Sequence, residues 1–482
     1  MANSSPLRGL YLAFNKSIAD EIATKHNNKR LSSRITHSLA LRSIREHYNF
    51  DSDKLFSSMQ GNRIVHDLEL HEMVVANKVL LSARSVGYLV ASTIQRFCQS
   101  SDTDVSIKHV PVTGKLAVIN KQLTDEFRAY VSQLAAHLWG RMTDPSDSTP
   151  LGHDGYLKLW SLHKPEILSD YVLLDEAQDT NDAVLSVLKN QKCKVVYVCD
   201  RHQQIYEWRG AINAMDQIGN AASSALTKSF RFGSEIALVA NKILFYLGEK
   251  SKITGNERVA SQINAGKAKT IISRTNAVVL ETVINALRNG QTPHIVGGTN
   301  DIVRMLEDVT RLKNGTPSVT SEFFGFSTWL EVYQFSETEE GEHLKSFVNL
   351  VENYTEQYLI SSLKRTCLSE SDADLIACTA HKSKGREWDS VELSSDFVKT
   401  IVDPKKPLTN SEETRLLYVG ATRAKTNLIL PDEVSKILGY EPVKTTPPES
   451  SGVEKSAANR TTSPVARPPM PKTPSFVKHI KK

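Results

Sequence analysis

The sequence has few cysteines and no long apolar run. Its five cysteines form no Cys-x-x-Cys pair, which argues against a disulfide framework and a structural zinc site, and we interpret them as reduced, mostly packed thiols. No window approaches the roughly 20 apolar residues of a membrane span, and the first residues lack a cationic stretch that leads into an apolar core. We therefore expect no membrane partner and a location in the cytoplasm, at the nucleoid or, in a eukaryote, in the nucleus.

Positive and negative side chains balance over most of the chain, so that part has no net charge. The formal charge of the 482 residues is +5, and the segment 441–482 accounts for all of it, with eight Lys or Arg against three Asp or Glu. This segment is rich in Pro, Ser and Thr and poor in large apolar residues, a composition that predicts a disordered basic tail. It fits a solvated terminus and also an arm that binds nucleic acid or a protein partner.

Six short apolar segments, each followed by a polar turn and a helical pattern, predict strands. Strands that alternate with helices are typical of parallel sheets covered on both faces, and the two groups of segments predict two α/β domains. The stretches 42–165 and 299–370 have a mainly helical pattern, so we expect helical insertions there. The predicted strands lie in GLYLAF (9–14), YVLLDE (171–176), KVVYVCD (194–200), TIISRT (270–275), LIACTA (375–380) and NLIL (427–430).

The segment YVLLDEAQDT, residues 171 to 180, ends an apolar strand in two adjacent carboxylates. These are Asp175 and Glu176, with Asp179 close behind. An acid directly after a strand can hold Mg²⁺ while its neighbour activates a water, and this ending is common in phosphate-cleaving ATPases. The segment therefore predicts half of an ATP site.

A second segment, VCDRHQQIYEWRGA (198–211), also follows a strand. A Gln just past a strand end can sense a terminal phosphate. The flat faces of Tyr206 and Trp208 suit stacking on unpaired bases, worth roughly 1–3 kcal/mol per base. Because such an aromatic pair is also common in protein cores, the segment alone leaves both interpretations open.

Taken in order along the chain, these and four further segments resemble the motifs of the UvrD/Rep-like superfamily 1 DNA helicases. The match is closest to the F-box DNA helicase branch, on account of HQQIY, SFRFG and the N-terminal LYLAFNKSIA with THSLA. It extends over residues 8 to 430, and six motifs in the right order are far more specific than any one of them. The further segments are LTKSFRFGSEIALVAN (226–241), ISRTN (272–276), CTAHKSKGREWDSVEL (378–393) and EETRLLYVGATRAKTNLIL (412–430).

The resemblance implies a role in ATP hydrolysis for six residues. Asp175 would hold Mg²⁺, Glu176 would polarise the attacking water, and Gln203 would sense whether the γ-phosphate is present. Two arginines of the second motor domain would neutralise charge that develops on that phosphate, and a glutamate would meet the nucleotide sugar. These last three residues are Arg231, Arg423 and Glu387.

The resemblance also implies contacts with single-stranded DNA. The first strand-contact motif corresponds to Phe14, Asn15 and Lys16, and the next to Thr36 and His37. Three more residues would face the strand, namely Tyr206, Trp208 and His381.

A Gly-rich phosphate loop that ends in Gly-Lys-Thr or Gly-Lys-Ser is missing from the sequence. In the family this loop lies one helix upstream of the strand matching GLYLAF, where this sequence has only MANSSPLR. Neither Gly114-Lys115 nor Gly266-Lys267 has the required neighbours. Three explanations stay open: a segment missing upstream, a loop supplied by another polypeptide, or a helicase-like protein that does not turn over ATP. We expect the chain by itself to bind ATP weakly and hydrolyse it poorly.

We therefore predict two RecA-like parallel-sheet motor domains with helical insertions. The predicted activity is that of an ATP-dependent DNA helicase or translocase with 3′-to-5′ polarity, which acts on single-stranded DNA in repair or recombination. Its cofactors would be ATP and Mg²⁺, and its candidate protein partners recombination or repair proteins. The predicted boundaries are 1–41 and 166–224 for the first domain, 42–165 for its insertion, 225–298 and 371–440 for the second domain, 299–370 for a short second insertion and 441–482 for the tail.

The alternative is a catalytically impaired, helicase-like protein that binds DNA or interacts with other proteins. A nuclease has no support, because the sequence contains no second acidic cluster with metal-site spacing outside the motor motifs.

Overall fold

The computed structural model describes most of the chain between residues 7 and 441. All described elements belong to one compact unit, Met1–Val443. The predicted disorder of the tail concerns residues that, apart from Glu441, lie outside the described part of the chain. The described residues are 7–13, 16–25, 30–57, 59, 61–75, 79–81, 83–111, 121–205, 217–219, 221–316, 318, 322–323, 326, 328–337, 341–400, 408 and 411–441.

The described strands form two parallel sheets and one short antiparallel hairpin. They are β1 (Gly9–Ala13), β2 (Leu31–Ile35), β3 (Met73–Val75), β4 (Val79–Leu81), β5 (Tyr171–Leu174), β6 (Lys194–Tyr197), β7 (Gln262–Ile263), β8 (Thr270–Ser273), β9 (Pro293–Ile295), β10 (Leu375–Thr379), β11 (Trp388–Leu393) and β12 (Ala424–Ile429). The first sheet has the order β2-β1-β5-β6 and the second the order β7-β12-β11-β8-β10-β9, while β3 and β4 form the hairpin.

Helices cover both sheets. In chain order they are α1 (Lys16–Lys25), α2 (Thr36–His47), α3 (Ser52–Phe56), α4 (Gly61–Asp67), α5 (Ala83–Gln99), α6 (Lys121–Thr143), α7 (Gly152–Leu162), α8 (Asp182–Lys189), α9 (Ser234–Tyr246), α10 (Asn276–Arg288), α11 (Asn300–Lys313), α12 (Trp329–Ser336), α13 (Glu342–Asn353), α14 (Glu356–Leu363), α15 (Ala380–Ser383), α16 (Ser411–Ala421) and α17 (Asp432–Ile437). Among these described helices, none combines the length and the hydrophobicity that crossing a bilayer requires.

Three apolar cores organise this unit. The first sheet shares one core with the helices of the region 36–188, so Leu12 and Val172 of the sheet belong to the same cluster as Phe97 and Trp160. The second sheet is covered on one face by α9 and α16 and on the other by the helices between residues 276 and 363. The helical regions are thus part of the packing that fixes the two sheets.

The predicted fold class, two α/β domains with parallel sheets and helical insertions, is confirmed, and all six predicted strands are present. The sequence did not predict β2, β7, β9 and β11 or the hairpin inside the first helical region. Most of these are very short or stand at a sheet edge. The interior strand β11, WDSVEL, has polar residues that interrupt the apolar pattern.

Within the stretch 299–370, where we expect a mainly helical pattern, the segment FVNLVENYTEQYLISSLKRT (347–366) contributes to two helices. Helix α13 ends at Asn353, and the side chain of Thr355 accepts a hydrogen bond from the Tyr358 N–H at 3.3 Å. A threonine N-cap of this kind starts a new helix, because it satisfies an amide that has no partner in the first turn. The apolar spacing alone does not reveal this break.

A close backbone approach fixes the segment that contains Arg231. A Cβ atom on Gly255 would lie 2.4 Å from the carbonyl carbon of Gly233, so Gly255 has no room for a side chain. The Asn256 N–H donates to the Phe232 carbonyl at 2.8 Å across the same approach. The glycines therefore hold this segment close to the loop at residues 254–256.

We expect Gly255→Ala to lower the free energy of unfolding by about 1–3 kcal/mol, because two backbone segments must separate to admit the methyl group. In the control, Gly140→Ala, the new Cβ meets nothing within 4 Å inside α6. This control should raise stability by about 0.5–1 kcal/mol through helix propensity. Urea denaturation followed by circular dichroism measures both, and equal stabilities for the two variants would contradict the close approach.

Candidate functional site

The predicted acids lie at the carboxyl edge of the first sheet. Asp175 directly follows β5, and its N–H donates to the Leu12 carbonyl of the neighbouring strand at 3.1 Å. Tyr11 Oη donates to Asp175 Oδ2 at 2.5 Å. Burial and this hydrogen bond raise the pKa of Tyr11 well above its ordinary value, so the phenol stays protonated as a donor. Asp175 is thus oriented by the strand next to its own.

Glu176 has a left-handed backbone, with φ of 50° and ψ of 43°. This conformation is unfavourable for a residue with a Cβ and persists where surrounding contacts enforce it. The Gln178 amide donates to Glu176 Oε2 at 2.5 Å, and Gln178 itself is only 1% exposed. The other end of the Gln178 amide accepts a hydrogen bond from the Asp200 N–H at 3.1 Å. A buried glutamine therefore connects the water-activating candidate to the strand end after β6.

Gln203 lies at the end of a short 3-10 helix that follows β6. The Asp200 carboxylate caps this helix, since it accepts from the His202 N–H and the Gln203 side-chain amide, both at 2.9 Å. Tyr418 of the second domain donates to the same carboxylate at 3.1 Å. The Gln203 side chain is thereby positioned by groups from both domains.

The two predicted arginines reach the site from the second domain. Arg423, 1% exposed, donates to the Val419 carbonyl at 2.9 Å and to Gln203 Oε1 at 3.3 Å. Arg231 donates to the carbonyl of Thr422, the residue next to Arg423, at 3.2 Å. Burial and the nearby Arg231 lower the pKa of Arg423 to about 10, which leaves it a cation at neutral pH. Two adjacent cations at a domain interface suit an anionic ligand such as a transferring phosphoryl group.

Glu387 lies beside these arginines. Its Oε2 accepts a hydrogen bond from Arg231 Nε at 2.7 Å, and both side chains are partly exposed. The structure thus brings together all six residues predicted for ATP hydrolysis, with three from each domain. Their individual roles stay predictions.

Tyr11, Gln178 and Tyr418 are among the residues that hold this arrangement and that sequence reasoning missed. Gln178 stands inside the DEAQD motif, so its position was a usable signal. The two tyrosines also stand inside quoted segments, GLYLAF and EETRLLYVGATRAKTNLIL, but an alternating strand residue and a helix residue look like ordinary core. Only the packing of separate chain segments brings their hydroxyl groups to Asp175 and Asp200.

The residues predicted to contact DNA are only partly described. Lys16 and Thr36 are the first residues of α1 and α2, so they follow the neighbouring parallel strands β1 and β2 at one sheet edge. The ring of His37 packs edge-on against Tyr156 with 5.8 Å between centroids, and burial lowers the pKa of His37. His381 Nε2 lies 3.1 Å from the Ile205 carbonyl of the first domain. The remaining residues, Phe14, Asn15, Tyr206 and Trp208, lie outside the described part of the chain.

Asp175 suits a magnesium ion that arrives with a nucleotide. Mg²⁺ prefers hard oxygen ligands, and in nucleotide sites one or two carboxylates hold it together with phosphate oxygens and water. In the described part of the chain, no group of three or more His, Cys, Asp or Glu could form an all-protein cage. A strand-end carboxylate such as Asp175 fits the mode in which substrate phosphates complete the coordination.

Two parallel sheets whose acids, glutamine and arginines meet at a domain interface define a two-domain motor fold of the RecA-like class. Comparison with family models agrees with this class. The UvrD/REP helicase N-terminal domain matches residues 10–217, and the UvrD-like helicase C-terminal domain matches residues 226–432. The chain belongs to the UvrD-like DNA helicases.

Individual relatives confirm the predicted resemblance to the F-box branch. F-box DNA helicase 1 of Gallus gallus is 28% identical over 466 residues, which cover 89% of this chain and 45% of that protein. F-box DNA helicase protein 1 of Schizosaccharomyces pombe is 30% identical over 476 residues, which cover 90% of this chain and 53% of that protein. DNA helicase II of Escherichia coli is 35% identical over 101 residues, which cover 18% of this chain and 14% of that protein. The chain spans about half the length of the two F-box helicases.

Tyr418→Phe tests the contact between the domains at Asp200. We expect the loss of this hydrogen bond to lower the free energy of unfolding by about 0.5–1.5 kcal/mol, because Asp200 would keep its other donors. Tyr333→Phe on the half-exposed face of α12 is the matched control and should leave stability unchanged. Urea denaturation measures both variants. Identical midpoints for Tyr418→Phe and the control would exclude a stabilising contact.

Proposed function

We propose that this chain is the motor region of an ATP-dependent DNA helicase or translocase that acts on single-stranded DNA. The observation that carries the proposal is the contact between Gln203 of the first domain and Arg423 of the second, beside Asp175 and Glu176. ATP bound at this interface would touch both domains, so its hydrolysis would change the contacts between them. Movement of two domains against each other is the means by which such a motor would advance along a strand.

The chain's own residues supply most of the chemistry required. Asp175 would hold Mg²⁺, which neutralises charge on the phosphates when it is bound. Glu176 would accept a hydrogen bond from the attacking water and orient it. Arg231 and Arg423 would stabilise the charge on the transferring phosphoryl group, an effect worth about 10³–10⁵ in rate in related phosphoryl-transfer sites.

The edge of β6 is the place where a phosphate loop would complete this site. β6 is the outermost strand on that side of the described first sheet, and Val196 and Val198 are 48% and 44% exposed. Parallel sheets are normally covered on both faces, so half-exposed valines beside the site suit an added strand and helix. A parallel strand on this edge would end beside Asp200 and Gln203. We propose that a strand followed by a Gly-rich loop, on this polypeptide or another, binds there.

DNA would lie across the carboxyl edges of both sheets. Lys16 and Thr36 stand at one such edge in the first domain, and His381 follows β10 in the second. From the resemblance we also propose 3′-to-5′ polarity and a role in repair or recombination. The expected cellular location rests on the sequence and is a proposal too. The names of the F-box DNA helicase relatives support the DNA helicase part of the proposal. As partners of the whole protein we propose repair or recombination proteins as a class.

The second candidate is a helicase-like protein that binds DNA without turning over ATP. No Gly-Lys-Thr or Gly-Lys-Ser loop lies within the 482 residues, so this candidate is tested beside the motor. The intact set of six residues at the interface favours the motor, because a binding protein needs no arginine pair beside a glutamine and two acids.

Steady-state phosphate release with Mg·ATP and single-stranded DNA separates the two candidates. We expect the 482-residue chain alone to stay near background, because the acids and arginines can act only on phosphates that are held in place. The same chain preceded by a strand, phosphate loop and helix from a relative should hydrolyse ATP faster by orders of magnitude. Glu176→Gln in the extended protein should abolish the gain.

Two results would contradict this expectation. Turnover by the unextended chain that Glu176→Gln removes would mean that other residues hold the phosphates. A folded, extended protein without turnover would favour the binding protein.

Binding of single-stranded DNA should not require ATP. We expect Trp208→Ala to weaken binding by about 1–3 kcal/mol through the loss of base stacking, whereas Trp208→Phe should keep most of the affinity. Fluorescence anisotropy with a labelled oligonucleotide at fixed salt measures the three affinities. If wild type and Trp208→Ala bind equally well, Trp208 does not stack on the bases.

A further inference from the structure

Lys384 is a buried cation that crosses from one domain to the other. It follows α15 directly and precedes Gly385, whose φ is 79°. Its side chain is only 6% exposed. The ammonium donates to Asp179 Oδ2 and, at 2.7 Å, to the Gln203 carbonyl, and it lies 3.4 Å from Glu176 Oε2. These three acceptors all belong to the first domain, whereas Lys384 belongs to the second.

The partners of Lys384 are connected to each other. The Asp179 N–H donates to the Glu176 carbonyl at 2.9 Å, so the two acids lie on one short turn. The Asp179 side chain is fully buried, and burial raises its pKa to about 6 even though Lys384 opposes the rise. Asp179 is therefore still ionised at neutral pH, and Lys384 is its compensating charge. A buried ion of this kind requires such a partner, because removing one charge leaves the other buried without compensation.

The two oxygens of the Glu176 carboxylate have different surroundings. Oε2 lies near both the Gln178 amide and the Lys384 ammonium. Oε1 has no hydrogen-bond partner among the described residues, and the side chain as a whole is 33% exposed. One oxygen is thus held by the protein, while the side chain as a whole is partly open to solvent.

We propose that Lys384 is a positioning residue that makes the water-activating geometry of Glu176 depend on contact between the two domains. It fixes Oε2 and the turn at Asp179, and through the Gln203 carbonyl it fixes the segment that contacts Arg423. Oε1 is then the oxygen that would orient the attacking water. When the domains separate, the ammonium leaves and the left-handed Glu176 loses one of the contacts that hold it. This inference rests on the proposed ATP hydrolysis and deepens it.

A simpler interpretation is an interdomain salt bridge that only adds stability. The two interpretations differ in what Lys384 should affect. A salt bridge that only stabilises the fold would change the unfolding midpoint and leave kcat/KM unchanged. A positioning residue should lower kcat and leave KM for ATP almost unchanged, because binding of the nucleotide does not need the aligned water.

The first test needs no ATP. Hydrogen–deuterium exchange is measured on the full chain for wild type, Lys384→Met and the control Lys382→Met, with Lys384→Gln in reserve if the methionine variant does not fold. Lys382 lies two residues away, is 52% exposed and is paired with Asp301 at 3.4 Å. We expect exchange at residues 176–180 to be about 10-fold faster in Lys384→Met, since these amides would open locally, and unchanged in the control. Unchanged exchange in Lys384→Met would overturn the proposal.

The second test measures phosphate release with single-stranded DNA, in whichever form of the protein hydrolyses ATP. We expect Lys384→Met to lower kcat about 10- to 100-fold with KM for ATP within about 3-fold, because a misplaced group costs rate rather than affinity. Lys384→Arg should recover part of kcat, and Lys382→Met should match wild type. Unchanged kcat in Lys384→Met would reduce Lys384 to a structural bridge and overturn the proposal.

The two tests also separate this inference from the proposed function. If no form of the protein hydrolyses ATP, the proposed activity fails. Faster exchange at 176–180 in Lys384→Met alone would still support the placement of Glu176 by Lys384.

Discussion

The cost of burying charge governs how the two domains meet. Asp179 and Lys384 have both left water, and each would be strongly unfavourable without the other. Because one belongs to the first domain and the other to the second, the domains cannot separate without returning both groups to solvent. The neighbouring contacts from Tyr418 to Asp200 and from Arg423 to Gln203 cross the same boundary. The site therefore exists as a property of the interface rather than of either sheet.

Parallel topology explains why so few residues suffice to build this interface. In a parallel sheet all strands end at one edge, so the residues that follow β5 and β6 become neighbours although they are distant in sequence. In the second domain the site residues lie in the short segments that lead into β11 and β12, with Lys384 between α15 and β11 and Arg423 directly before β12. Two edges that face each other place acids and a glutamine opposite arginines and a lysine. Charge complementarity then favours one mutual orientation, and an anionic ligand between the domains would strengthen it.

The dense polar network has a mechanical consequence. Glu176 is kept in a left-handed conformation by contacts from Gln178, which is anchored at Asp200, and from Lys384. Strained residues of this kind persist only where their surroundings over-determine them. Any change in domain contact is transmitted to Glu176 through two or three hydrogen bonds. In the proposed motor, such a connection would make hydrolysis depend on the relative position of the two domains.

The sequence by itself determined the fold class and six of the residues that meet at the interface. Apolar strands that end in Asp-Glu or lead to a Gln are local features, and the order of the motifs is recorded in the chain. Short strands with polar residues, such as β11, and the break before Thr355 were missed, because their patterns depend on neighbours and caps. Only the tertiary structure decided that Tyr11 orients Asp175 and that Lys384 reaches Glu176 and Asp179. The physical reason is that hydrogen bonds and buried ion pairs act over a few ångströms in space, between residues that are between about 160 and 210 positions apart in the chain.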